Sequence, residues 1–170
     1  MKKLGIIAGS GLYEIDGFAF VEEHNVTTEY GAPSDAYRVY RYKGVDFYFL
    51  NRHGRNHSIP PHNVNYRANI AGFMKLGVEN ILSITATGGI NSTFKPGDIV
   101  IPNDAIDQTE GRTRTFYDEG LIHHVDMTDA FCQRLRGVLE NAATSADEDF
   151  FEGGTYICTN GPRLETRAEI

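Results

Sequence analysis

Three short apolar runs in this chain each stop at residues suited to holding an anion. Residues 4–8 run into Gly9-Ser10-Gly11, residues 45–50 into Asn51-Arg52-His53-Gly54, and residues 80–86 into Thr87-Gly88-Gly89. Apolar runs of this length, rich in β-branched and aromatic residues and closed by glycine, read as buried strands. α/β sheets place ligands beyond the carboxyl ends of such strands. Residues 37–42 form a further strand, joined to 45–50 by Lys43-Gly44, which signals a hairpin. From Asn63 a helical pattern begins. Val64, Ala68, Ala71 and Lys75 share one face, Ile70 and Met74 flank it, Asn63 is the expected N-cap and Gly77 the stop. Strands alternating with helices but including a hairpin predict an α/β fold, a mixed central sheet with flanking helices. The length of 170 residues predicts one domain, 1–170.

The remaining segments are less regular. Residues 18–30 alternate poorly. Residues 91–98 form a turn-rich link ending in Pro96-Gly97-Asp98, and 99–101 a strand stopped by Pro102. Residues 104–124 look irregular. Phe131, Leu135, Val138, Leu139 and Ala142 mark an amphipathic helix, with Thr128 or Asp129 as its cap. A polar linker, TSADED, leads to a strand over 154–159, and LETRAEI at the end reads as the start of a helix.

The second loop carries the strongest chemical signal. The stretch NRHGRNHSIPPHNVNYRAN holds Arg52, Arg55, Arg67, His53, His57 and His62, with no acidic residue between Asp46 and Glu79, in a chain of net charge −7. Arginine offers a planar fork of donors that fits phosphate oxygens. Gly54 and Pro60-Pro61 keep this stretch out of a helix until about residue 63. Ser10 adds a hydroxyl to a glycine turn whose N–H groups can face a phosphate. Taken singly, the same features also fit a solvated basic loop and a plain tight turn.

Several classes are disfavoured. The net charge of −7 argues against nucleic acid as a partner. Glu14 stands where a dinucleotide fingerprint needs its third glycine, which argues against a nicotinamide oxidoreductase. A metal hydrolase built on His53, His57 and His62 lacks both a helical face and a nearby carboxylate, so no metal is expected. Cys132 and Cys158 read as buried or free thiols of a reducing compartment. The N-terminal apolar run is too short for a signal core, and no run is long enough to span a membrane, which predicts the cytoplasm and no membrane partner.

At this level of detail the motifs become specific. IIAGSGLYE, NRHGRNHSIPPHNVNYRAN, TATGGINSTFKPGDIVIPNDAID, RTFYD, HHVDMTDAFC and GPRLETRAEI occur in order from end to end. Together the chain resembles the 5'-methylthioadenosine phosphorylase branch of the trimeric purine nucleoside phosphorylases. The resemblance implies phosphorolysis: inorganic phosphate attacks C1' of a purine nucleoside and the purine leaves. It implies Ser10, Arg52, His53, Thr85 and Ala86 as phosphate ligands, the last through its backbone N–H. His57 matches a nearby second-shell or ribose-side histidine, and His124 one that reaches the 5' end of the ribose in a neighbouring subunit. Glu165 falls where the family discriminates between bases. No metal or organic cofactor is implied, and phosphate is a co-substrate. The assembly implied is a homotrimer or a multiple of trimers.

Charge decides the expected base. A carboxylate at Glu165 can accept the N1–H of a 6-oxopurine, whereas adenine N1 is itself an acceptor. This favours 5'-methylthioinosine or another 6-oxopurine nucleoside, with 5'-methylthioadenosine as the alternative. Glu165 could instead cap the last helix or pair with Arg163 or Arg167. The resemblance also implies a C-terminal part beyond Ile170 that supplies the hydrogen bond to purine N7. The expectation for these 170 residues alone is therefore phosphate binding without efficient turnover, as an inactive or partner-dependent fragment.

Overall fold

The computed structural model describes residues 3–9, 15–118, 120 and 122–170. They divide into two compact units, residues 1–87 with 113–116, and residues 88–112 with 117–170.

Strand β1 (Leu4–Ala8) organises the first unit. It runs parallel to β4 (Val45–Asn51) on one side and β5 (Asn80–Ile84) on the other, with Ala8 opposite both Asn51 and Ile84. Strand β3 (Tyr37–Tyr42) pairs antiparallel with β4, and β2 (Ala19–His24) antiparallel with β3, giving a mixed five-stranded sheet in the order β2-β3-β4-β1-β5. The expected hairpin forms. Lys43 and Gly44 both take positive φ, 47° and 78°, as a two-residue primed turn requires.

Helix α1 (Tyr66–Lys75) covers this sheet, and a core of Tyr37, Val39, Tyr48, Leu50, Phe73 and Val78 lies beneath it. Two glycines allow the close approach. A Cβ on Gly5 would lie 2.8 Å from the Phe73 ring, and one on Gly72 would strike the Tyr37 hydroxyl. That hydroxyl is fully buried and donates to the Asn69 carbonyl at 2.7 Å. Burial alone pushes the phenol well above its usual pKa.

The helix begins later than the sequence pattern suggested. Pro61–Asn63 form a 3₁₀ turn, Val64 is extended, and Asn65 is the cap, its side chain accepting from Ala68 N–H. Two consecutive prolines delay the α conformation by that much. Gly77 does end the helix, at φ 71°. Val64, Ala68 and Ala71 are buried, but Lys75 turns outward to the Thr27 carbonyl and Glu29.

The second unit holds two parallel pairs, β6 (Ile99–Ile101) with β8 (Phe150–Glu152) and β7 (Asp104–Asp107) with β9 (Thr155–Cys158). Helix α2 (Gln133–Ser145) is tied to this unit by Arg136 Nε, which donates to the Pro102 carbonyl at 2.9 Å.

Four more readings need correction. β2 lies inside the segment that alternated poorly, because a bulge between Phe20 and Glu22 shifts its register. β7 lies inside the stretch that looked irregular, and its residues are all exposed, so no burial pattern marked it. Helix α2 starts after Cys132 with no side-chain cap; Thr128 turns to Asp126 instead, at 2.7 Å. LETRAEI forms turns rather than a helix. Arg163 bridges six residues to Glu169 in a two-bond fork at 2.7 and 2.8 Å, a spacing that does not match a helical surface. Both cysteines are free, and Cys132 is exposed. Among the described residues no helix is long and apolar enough to cross a membrane.

Candidate active site

The site starts from the register of the parallel strands. Because Ala8 lies opposite both Asn51 and Ile84, the chains leaving β1, β4 and β5 emerge side by side. Arg52 N–H continues the ladder by donating to the Ala8 carbonyl at 3.0 Å. The Arg52 side chain then passes over the end of β1, and its Nη2 donates to Thr85 Oγ1 beyond β5 at 3.3 Å. Gly9 makes room for it, since a Cβ there would sit 3.0 Å from Nη2. Thr85 and Ala86 are exposed at this strand end. Ser10 lies outside the described residues.

His53 fixes the other edge of the guanidinium. Its Nδ1 is 2.9 Å from the Ile59 carbonyl, which can only accept, so Nδ1 carries the hydrogen. In the neutral ring Nε2 is then an acceptor, and Arg52 Nε donates to it at 3.3 Å. The loop that holds His53 turns on itself through Gly54 (φ 74°) and His57 (φ 53°), and Ile59 N–H closes it onto the His53 carbonyl at 3.0 Å. The His57 ring stands 4.6 Å from that of His53.

Partial burial pushes the His53 pKa below its usual value, and the charges of Arg52 and His57 add to this, against an opposing effect of the Ile59 bond. An unfolded histidine titrates near ~6.5. The unfolded chain therefore binds more protons below that pH, so this contribution to stability is complete above it and is lost as pH falls through the lower folded value. In phosphate-free buffer, acidification from about pH 7.5 to about pH 5 should destabilise the unsubstituted protein more than His53→Asn. Paired melting curves test this; parallel curves would contradict it.

The basic island is not uniformly available. Arg55 pairs with Glu23 at 2.6 Å and lies 3.9 Å from Asp35. Arg67 sits over the Tyr30 ring at 4.8 Å and donates to the Thr115 carbonyl at 3.2 Å. His62 is exposed on the 3₁₀ turn. Among the described residues none places a carboxylate against Arg52. The Arg52 guanidinium, the His53 ring and the Thr85 hydroxyl thus stand together at the strand ends, a donor set that suits an anion.

The other candidates belong to the second unit. Glu165 is exposed, and its Oε1 accepts from Thr159 Oγ1 at 3.0 Å. It neither caps a helix nor pairs with Arg163, which is engaged by Glu169. His124 is exposed in an irregular stretch. Among the described residues no three His, Cys, Asp or Glu side chains gather as a metal-holding group.

The sequence profile of the phosphorylase superfamily matches residues 3–170. This chain belongs to the phosphorylase superfamily. Within that superfamily it is 48% identical over 169 residues to a probable S-methyl-5'-thioinosine phosphorylase of Thermodesulfovibrio yellowstonii, covering 99% of this chain and 63% of the relative. It is 45% identical to an S-methyl-5'-thioadenosine phosphorylase of Hyperthermus butylicus, covering 98% and 61%. Among solved structures, a methylthioadenosine phosphorylase sourced from an Antarctic soil metagenomic library superposes with a TM-score of 0.93 at 39% identity, covering 99% of this chain and 60% of that one. The chain thus spans somewhat under two thirds of the length of these phosphorylases.

Sequence reasoning missed the residues that hold the Arg52–His53 loop of this superfamily member in place. Asn51 donates to Asp35 at 3.0 Å, and Asp35 and Glu23 both face Arg55. One available signal was a polar residue, Asn51, at the end of β4 after the apolar run over residues 47–50.

Proposed function

We propose that the protein catalyses phosphorolysis of a purine nucleoside, releasing the free base and a pentose 1-phosphate. The observation that carries this reading is the Arg52 guanidinium. It is held by His53 and Thr85 over a glycine at the carboxyl ends of three strands, and among the described residues no carboxylate is placed against it. Arg52, His53, Thr85, the Ala86 N–H and Ser10 are assigned to the phosphate. A dianion fixed beneath the sugar both supplies the nucleophile and stabilises the positive charge that grows at C1' as the base departs. His57, whose ring is tilted against that of His53, and His124 are assigned to the ribose side. Inorganic phosphate is the co-substrate, and the reading calls for no metal or organic cofactor. The motif resemblance supports a single phosphorylase domain acting in the cytoplasm as a homotrimer or a multiple of one.

Glu165 is assigned to the base. Thr159 occupies one of its oxygens. The other can accept N1–H of a 6-oxopurine, which favours 5'-methylthioinosine or another 6-oxopurine nucleoside over 5'-methylthioadenosine. Relatives named for each of these two methylthio substrates match the chain, and substitution separates the readings. Glu165→Ser should lower kcat/KM on inosine-type substrates relative to adenosine-type ones by roughly 10- to 150-fold, the value of a charge-assisted hydrogen bond of about 1.5–3 kcal/mol. Equal losses on both bases would remove Glu165 from base recognition. The reaction class itself is tested by following free purine with and without phosphate. Release should depend on phosphate, and release at full rate in its absence would exclude phosphorolysis.

A further inference from the structure

We infer that Asp35 is a positioning residue for the anion site, bracing the loop that carries Arg52 and His53. The inference rests on the functional reading above, in which that loop meets phosphate.

Asp35 lies in the segment before β3, and only 12% of its side chain is exposed. A carboxylate so enclosed requires partners. Its Oδ2 accepts from Asn51 Nδ2 at 3.0 Å, its Oδ1 accepts from the Ala36 N–H at 2.9 Å, and Arg55 stands 3.9 Å away. Asn51 is buried, ends β4 and immediately precedes Arg52. Asp35 therefore grips the base of the loop at the residue from which Arg52 departs.

The segment is anchored on its other side as well. Ser34 N–H donates to Asn69 Oδ1 at 2.8 Å, and Asn69 Nδ2 donates to Ser34 Oγ at 3.0 Å. Asn69 is a buried residue of α1. The Ser34 carbonyl also lies 3.4 Å from where a Gly54 Cβ would stand, so the loop rests directly on this segment. A rigid helix thus supports Ser34 and Asp35, and these support Asn51 and Gly54. Together with Glu23, Asp35 also engages Arg55, which keeps that second guanidinium turned to acidic partners while Arg52 faces the anion.

Because Asp35 acts through Arg52, its loss should fall on phosphate and spare the nucleoside. Asp35→Ala should weaken phosphate binding about tenfold or more, measured calorimetrically, and raise KM for phosphate while KM for nucleoside changes less than about twofold. Asp35→Asn keeps the Oδ1 acceptor for the Ala36 N–H, and a flip of the Asn51 amide lets its Oδ1 accept from the new Nδ2, so phosphate affinity should return to within about threefold of the unsubstituted protein. Asn51→Ala removes the same bond from the other side. It should show the same selective loss, and combining it with Asp35→Ala should add little further. The Asn51→Ala and Asp35→Asn comparisons also keep the test decisive if Asp35→Ala does not fold. Phosphate affinity unchanged in the folded Ala variants, or equal rises in both KM values, would overturn this role while leaving the functional reading intact. Absence of phosphate binding by the unsubstituted protein would overturn both.

Discussion

Arg52→Ala should cost about 2.7–4 kcal/mol of transition-state stabilisation, a loss of roughly 100- to 1,000-fold in kcat/KM for phosphate. The size follows from geometry. Arg52 is held in advance by three contacts: its backbone N–H donates to the Ala8 carbonyl, and its guanidinium donates through Nε to His53 and through Nη2 to Thr85. A donor fixed in this way holds the phosphate with no rearrangement while positive charge grows at C1'. Lysine should not rescue it. A single ammonium cannot reach the His53 ring and the Thr85 hydroxyl together while still presenting a planar pair of donors. Arg55→Ala is the internal contrast, because that guanidinium already faces Glu23 and Asp35 and its loss should act only through the loop. Equal kcat/KM values for Arg52→Ala and the unsubstituted protein would remove Arg52 from the site.

Phe73→Ala should destabilise the first unit by about 3–5 kcal/mol, the range for truncating a fully buried aromatic ring. The ring is wholly buried, meets Tyr37 edge to face at a centroid distance of 4.7 Å, and lies against Gly5 of β1. No neighbour can collapse into the space without moving the helix off the sheet. The same contact predicts a change of sign. Gly5→Ala alone should destabilise, since its Cβ would stand 2.8 Å from the ring. In the Phe73→Ala background that methyl enters the cavity and should recover part of the loss. Urea unfolding of the two single variants and the double variant measures this; strict additivity would mean that the helix does not rest on β1 through this pair.

Much of the first unit was legible because strand ends announce themselves. Apolar runs closing in glycine and basic residues located β1, β4 and β5, and Lys43-Gly44 fixed the hairpin. What could not be read is which arginine stays available. Arg55 is engaged by Glu23, 32 residues away, and Arg67 by Tyr30 and Thr115. The hairpin did contain an unused clue. Its register sets Tyr42 opposite Val45 and Arg38 opposite Phe49, so continuing the count brings Asp35 opposite Arg52. The helix start was misplaced because a proline pair shifts the cap from Asn63 to Asn65. The LETRAEI segment was misread because a long-range fork from Arg163 to Glu169 outcompetes a short helix, whose nucleation is costly. That fork also holds the Glu169 carboxyl at about 2.

The fate of the phosphorus atom tests the central claim most directly. Incubation of the protein with a 6-oxopurine nucleoside and inorganic phosphate should be followed by phosphorus NMR and by free-purine absorbance together. Phosphorolysis predicts that each purine released is matched by one inorganic phosphate lost and one pentose 1-phosphate ester gained. Purine released alongside a free reducing sugar, with the inorganic phosphate signal unchanged, would show hydrolysis and contradict the assignment of Arg52 and His53 to a phosphate nucleophile.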